Sequence, residues 1–216
     1  MVKVVNVPKE MEGRHIAITA TMSQFRTVKE HPYSDIGIIK IDSEGYQIVW
    51  GFEGGRRPTS ELYMHLLSHN ARLKVDKKHK VVVHNHANNA TAYSLVIDPN
   101  DRAYTLPLWQ VLTESIVVFP DGVGVLPWQL PGTEKIGLAT AEKLRDCRIV
   151  VWVYHGILAT GSSFQDCFGL IETVDKAADI YMNTLRIKKF DGLSEANLLA
   201  MCKHLGVNPR EGLLNT

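Results

Sequence analysis

Val81-Val82-Val83-His84-Asn85-His86 and Arg148-Ile149-Val150-Val151-Trp152-Val153-Tyr154-His155-Gly156 decide how this chain is read. Both are runs of β-branched and aromatic residues, the composition of a strand, and both close on histidine. Successive side chains of a strand point to opposite faces, so His84 and His86 share one face. If the two strands are neighbours, His155 brings a third imidazole to the same end of the sheet. Three imidazoles there form a transition-metal ligand set that leaves a position open for water or substrate. The alternative is ordinary strand-end histidines satisfied by polar neighbours, which a chain with nine histidines also offers.

Working outward, apolar runs alternate with helical patterns. Strands are expected over 16–21, 36–41, 46–52, 81–86, 116–119 and 149–154, with a further candidate at 158–160. Asp42-Ser43-Glu44-Gly45 lies between the second and third and reads as the turn of an antiparallel hairpin. Helices are expected over 60–75, 88–96, 134–146, 163–185 and 194–205. In the fourth, Phe164, Phe168, Ile171, Val174, Ala178 and Tyr181 recur at spacings of three and four, as one buried face requires. No repeat, low-complexity tract or linker interrupts the chain. The pattern predicts a single α/β domain over residues 1–216, with a mainly antiparallel central sheet flanked by helices.

The composition narrows the function. A chain of 216 residues with 45% hydrophobic and 22% charged residues fits one well-buried domain. A net charge of +1 offers no general field for nucleic acid or an anionic membrane. No apolar stretch has the length of a membrane span, and the first residues lack the pattern of a signal peptide. Cys147, Cys167 and Cys202 are too few and too dispersed for a disulfide framework or a thiolate metal site. A cytoplasmic enzyme or binding protein is the expectation.

Several polar residues flank the histidine strands. Thr59 or Ser60 is a candidate N-cap for the helix preceding His84, and that helix start would also suit an anion. Glu61 falls in the expected first turn, where a carboxylate is favoured by the helix dipole alone. Glu61, His65 and His69 follow at intervals of four, so they line one helix face, and the two imidazoles form a second candidate metal pair. Glu114 precedes the apolar run at Ile116 and reads as the solvent end of a strand. Asp121, in Phe119-Pro120-Asp121-Gly122, reads as a turn residue.

Taken together, these stretches resemble the zinc-dependent class II sugar-phosphate aldolases, most closely the branch that acts on L-rhamnulose 1-phosphate. The resemblance is carried by Ile36-Gly37-Ile38-Ile39-Lys40-Ile41-Asp42-Ser43, Pro58-Thr59-Ser60-Glu61-Leu62 and His84-Asn85-His86-Ala87. It continues in Val117-Val118-Phe119-Pro120-Asp121-Gly122-Val123-Gly124, Pro131-Gly132-Thr133 and Phe168-Gly169-Leu170-Ile171, and runs from about His15 onward. It implies the class II aldolase/adducin-like fold and one Zn2+ per subunit, with other divalent metals possible, held by His84, His86 and His155. Glu61 matches the acid/base residue beside the metal. Glu114 matches a carboxylate acting across a subunit boundary in a homotetramer. Thr21, Thr59 and Ser60 match phosphate-binding positions. The implied reaction is cleavage of a ketose 1-phosphate, a small-molecule partner, to dihydroxyacetone phosphate and an aldehyde.

Two departures from the family pattern stand out. The family carries an N-terminal segment with a Gly-Asn element that contacts phosphate, and the present sequence shows no match to it. The loop that is Gly-rich in the family reads Thr19-Ala20-Thr21-Met22-Ser23. Without glycine, close approach of the backbone to an anion is harder. Two other functions therefore stay open: an epimerase or dehydratase on the same scaffold, and a weakly active metal-binding homologue with an eroded phosphate site.

Overall fold

The computed structural model describes residues 2–3, 7–185 and 191–215. In chain order its elements are β1 (Val2–Lys3), β2 (His15–Thr19), α1 (Pro32–Asp35), β3 (Ile36–Asp42), β4 (Gly45–Gly51), α2 (Leu62–Val75), β5 (Val81–Asn85), α3 (Asn88–Tyr93), α4 (Asp101–Val111) and α5 (Thr113–Val118). They continue with β6 (Gly124–Leu126), α6 (Glu134–Lys143), β7 (Ile149–Trp152), β8 (Gly156–Gly161), α7 (Phe164–Thr184) and α8 (Glu195–Leu205).

The strands form two four-stranded sheets, ordered β1-β4-β3-β2 and β5-β8-β7-β6. Every pairing is antiparallel except β6 with β7. The expected hairpin is β3–β4, where Asp42 pairs with Gly45 and its Oδ1 accepts from the Glu44 N–H at 3.0 Å. The α/β architecture and the antiparallel character agree with the sequence. The division of the strands between two sheets was not foreseen.

The largest core lies between the second sheet and helices α3, α4, α5, α7 and α8. Its strand positions are Val83, Val125, Ile149, Val151, Ile157 and Ala159, met by Leu108, Ile116, Ile171 and Val174 from the helices. The other face of the same sheet packs Val150, Trp152 and Leu158 against Met64, Ala71 and Ile136. That sheet is covered on both sides, which is why its strands read as continuous apolar runs rather than alternating ones. The first sheet buries one face, with Ile16, Ile18, Ile39 and Ile41 against Leu62 and Leu66 of α2.

Some expectations are corrected. The run 116–119 is not a strand: Thr113–Val118 is helical and the Phe119 N–H donates to the Ser115 carbonyl at 2.9 Å. Ile116 is fully buried in the helical layer, so packing overrides the β propensity of Ile-Val-Val. Glu114 consequently lies in a first helical turn rather than at a strand end. Helix α4 was not expected because Pro107 sits inside it. Asn100 caps that helix, its side chain accepting from the Ala103 N–H at 2.8 Å. α2 begins at Leu62, so its N-cap is Glu61, not Thr59 or Ser60. In α7 the buried row runs through Cys167, Leu170 and Ile171, and Phe164 is 67% exposed.

Candidate metal centre

Three elements bring the histidines together. β5 ends in His84 and His86 with one residue between them. β7 and β8 are joined by a turn that closes on the Trp152–Gly156 pair, and the His155 N–H donates to the Trp152 carbonyl at 2.9 Å. Because β5 pairs with β8, with Asn85 opposite Ile157, that turn falls beside the end of β5. The turn holds Tyr154 at φ 67°, a left-handed conformation unusual for a side-chain-bearing residue. The imidazole centroids are 5.2 Å apart for His84–His86 and 5.1 Å for each of the other two pairs. One nitrogen from each ring lies within 4.8 Å of the other two. Among the described residues this is the one His/Cys/Asp/Glu group of three or more with metal-holding geometry.

The surroundings prepare these rings as ligands. His84 Nδ1 lies 2.9 Å from the Ile157 carbonyl. A proton on Nδ1 satisfies that carbonyl and leaves the Nε2 lone pair free. The buried atoms His84 Nε2 and His155 Nδ1 have no hydrogen-bond partner. Orphaned nitrogens of this kind are what a bound cation would satisfy, so the donor set fits a metal. Burial, with the neighbouring His155 and His65 adding to it, pushes the His84 pKa down to about 3. Burial and His86 lower that of His155. Both rings are thus neutral near pH 7, the form that ligates. Trp152 lies under the site, 4.6 Å from the His84 ring and 5.1 Å from the His155 ring. Its indole N–H donates to Thr140 Oγ1 at 3.0 Å, fixing the floor on which two of the rings rest.

Glu61 faces the triad from the start of α2. Its Oε2 is 3.3 Å from His84 Nε2 and its Oε1 is 3.6 Å from His155 Nε2. The first approach is close but not aligned as a hydrogen bond, consistent with the orphaned Nε2. Burial raises the Glu61 pKa above the ordinary carboxylate value. That brings a carboxyl toward the range where it can both give and take a proton near neutral pH.

The site opens into a cleft of about 1210 Å³ whose walls include Thr21, Thr59, Ser60, Glu61 and all three histidines. Thr59 is partly committed: its N–H donates to the Thr19 carbonyl at 3.0 Å and its Oγ1 accepts from the Glu61 N–H at 3.3 Å. The loop around Thr21 is held from behind by Arg56, which donates to the Thr21 carbonyl at 2.6 Å and pairs with Asp35. Met22, 90% exposed, takes φ 62°, so the loop adopts a left-handed residue without a glycine to supply it. Glu114 is not brought to the cleft of its own chain. It is largely exposed on α5, with Lys176 Nζ 3.8 Å away. Asp121 is structural, as expected, bonding the backbone and guanidinium of Arg148.

Sequence reasoning missed Trp152, Arg56 and Gly156. A Cβ on Gly156 would stand 2.5 Å from the Asn85 carbonyl oxygen, 3.0 Å from His86 Cδ2 and 3.1 Å from His84 Cε1. The signal available was a glycine directly following His155.

The two-layered frame, with a histidine triad at a strand end and a carboxylate over it, is that of a metal-site domain of the class II aldolase kind. The chain belongs to the family described as "Class II Aldolase and Adducin N-terminal domain", which it matches over residues 4–182. It is 41% identical to a rhamnulose-1-phosphate aldolase of Listeria welshimeri over 210 residues, covering 94% of this chain and 75% of that one. It is 39% identical to a rhamnulose-1-phosphate aldolase of Enterococcus faecalis over 208 residues, covering 95% of this chain and 75% of the relative. Among solved structures it resembles a sugar-phosphate aldolase of Thermotoga maritima, with a TM-score of 0.71 and 26% identity, covering 88% of this chain and 86% of the other.

Proposed function

We propose that this protein cleaves a ketose 1-phosphate, of which L-rhamnulose 1-phosphate is the first candidate, into dihydroxyacetone phosphate and an aldehyde, and joins the same two in reverse. The observation that carries the proposal is one carboxylate, Glu61, placed within 3.3 and 3.6 Å of two members of a three-imidazole cluster. His84, His86 and His155 would hold one divalent ion, zinc first among the candidates since imidazole donors suit several metals. When bound, it supplies a Lewis acid that withdraws charge from the substrate oxygens.

The remaining work falls to the chain. In the cleavage direction the bond between C3 and C4 breaks, leaving its electron pair on the phosphate-bearing fragment. Glu61 gives a proton to the carbon beside the carbonyl and takes it back in condensation. The hydroxyl that becomes the aldehyde loses its proton to a second base. Glu114 is assigned to this step from a neighbouring subunit of a homotetramer, since it does not reach the cleft of its own chain. Ser60, Thr21 and the free N–H groups at the start of α2 receive the phosphate.

The test is product analysis with metal-loaded protein and a panel of ketose 1-phosphates that includes the rhamnulose and fuculose compounds. Dihydroxyacetone phosphate, followed by its enzymatic reduction, should appear with at least one of them. Full metal loading with no such product from any member would reject the reading. Elemental analysis should give one metal per chain, lost in a protein carrying both His84→Ala and His155→Ala.

A further inference from the structure

Helix α2 runs beneath the space between the two sheets. Leu62 and Leu66 are buried with the first sheet, and Met64 and Ala71 with the second. The row between those two contact faces is Glu61, His65, His69 and Leu73, spaced by four and half-buried, and it lines the cleft. The walls of the cleft are β2 and β5, and each is the last strand of its sheet.

The facing edge of β2 is open. On that edge the Thr59 N–H donates to the Thr19 carbonyl and the Thr21 N–H donates to the Arg57 carbonyl. On the opposite edge the Ala20 N–H donates to Asp35 and the Arg14 carbonyl accepts from Ile41. Alternation along the strand therefore turns the N–H and C=O groups of His15 and Ala17 into the cleft. Among the described residues no backbone hydrogen bond meets them there. The 57–59 segment begins an antiparallel pairing on this edge and stops after the single Ala20–Pro58 bridge. Two bare strand edges along one cleft are a feature that sheet proteins usually cover. At 1210 Å³ the cleft also exceeds the roughly 300–1,000 Å³ of a small-molecule site. A substrate at the imidazole end leaves the stretch over His65, His69 and Leu73 unfilled.

The matched part of the Listeria and Enterococcus relatives is 75% of their length, so a quarter of each has no counterpart in this chain. We propose that the gap between β2 and β5 is a strand-receiving slot, and that its occupant is an extended segment from that additional quarter, completing one continuous sheet over α2. Main-chain hydrogen bonds to both edges would hold the strand. Its inward side chains would cover the His65, His69 and Leu73 row, so small or hydrogen-bonding residues are required at alternate positions.

The experiment does not use catalysis, so it stands or falls apart from the reaction proposed above. Overlapping peptides of about a dozen residues, long enough to span a typical strand, would tile the unmatched quarter of the Listeria welshimeri relative. Each is titrated against the full chain by fluorescence anisotropy, then joined to it through a flexible Gly/Ser linker to raise its effective concentration to the millimolar range. Hydrogen exchange is measured at residues 15–19 and 81–85. One segment should slow exchange of His15 and Ala17, and of alternate β5 amides, by about tenfold or more. N-methylation at alternate peptide positions should abolish this in one register and leave it intact in the other. No protection from any tethered segment, or protection indifferent to N-methyl register, overturns the proposal. Protection already present without peptide and rising with protein concentration would make a second copy of the chain the occupant, and also overturns it.

Discussion

At the scale of single residues, the site depends on a hydrogen atom where other residues have Cβ. Gly156 sits where the β7–β8 turn passes β5, and a methyl group there would press on the Asn85 carbonyl and on both β5 imidazoles. The strand backbone cannot retreat without losing the β5–β8 ladder, so the histidine rings must move. Overpacking of this kind costs about 1–3 kcal/mol. Gly156→Ala should therefore weaken metal affinity by roughly 10- to 100-fold, read by competition with a chromophoric chelator. Wild-type affinity in that variant would show that the rings relax without consequence. Glu61 offers a complementary case. As a helix N-cap its charge is worth about 1 kcal/mol at most, whereas a proton-transfer role is worth about 100-fold or more in rate. Glu61→Gln keeps the size and a hydrogen-bonding end, so it should keep the thermal midpoint and metal content while losing that factor in turnover. Unchanged turnover removes Glu61 from the chemistry. Both residues show what the sequence made legible at this scale. The His84-Asn85-His86 alternation and the strand ending in His155 announced the ligand set. The service of Gly156 and Trp152 to it depends on which strands are neighbours, and periodicity within a strand carries no information about that.

At the scale of elements, α2 shows how much a helix face can be asked to bear. Its imidazoles at 65 and 69 were legible as a four-residue repeat, but not their burial, because their cover comes from strands distant in sequence. His69 is held neutral by burial, with the Arg14 charge adding to it, and its pKa is pushed down to about 4. His65 is pushed to about 3 by burial and then by His69. In the unfolded chain both titrate near 6.5. Between pH 6.5 and 4 the unfolded state therefore binds more protons than the folded one, and stability falls as pH falls. For His69 that is roughly 1.4 kcal/mol per pH unit in this window, complete by about pH 4. In urea unfolding from pH 7 to pH 5, His69→Gln should show a visibly shallower loss of stability than the wild type. The ligand imidazoles contribute equally to both proteins, so the difference isolates His69. Parallel pH dependences would mean that His69 is solvated when folded. The α5 segment teaches the reverse lesson. Ile116-Val117-Val118 has strand composition, yet an all-round helical environment that buries Ile116 completely decides its conformation.

At the scale of the whole molecule, fold class and ligand set were readable because each is written in short-range pattern. The separation into two sheets was not, because it depends on which edges stay apart. The site assembled by one chain is also incomplete: it supplies one carboxylate, Glu61, while the proposed reaction needs proton transfers at two atoms on opposite sides of the breaking bond. Glu114 is largely exposed, and the Lys176 ammonium 3.8 Å away is largely exposed too. A pair so solvated contributes little to stability, so a stabilising ion pair does not account for that carboxylate. If it serves a neighbour's cleft in a closed ring, then two inactive chains can repair one another. A Glu114→Ala chain keeps its imidazoles and lacks the carboxylate, and a His155→Ala chain has the opposite defect. In a mixed ring some clefts combine the histidines of the first with the Glu114 of the second. Co-expression of the two, with different affinity tags to select mixed assemblies, should restore activity well above either parent, up to about a quarter of wild type if the two mix at random in a tetramer with one neighbour contributing to each cleft. The parents should be oligomers of unchanged size by light scattering, so that lost assembly is not mistaken for lost chemistry. Purified mixed assemblies as inactive as the parents would place Glu114 outside the site, and a monomer at micromolar concentration would leave it no neighbour to serve.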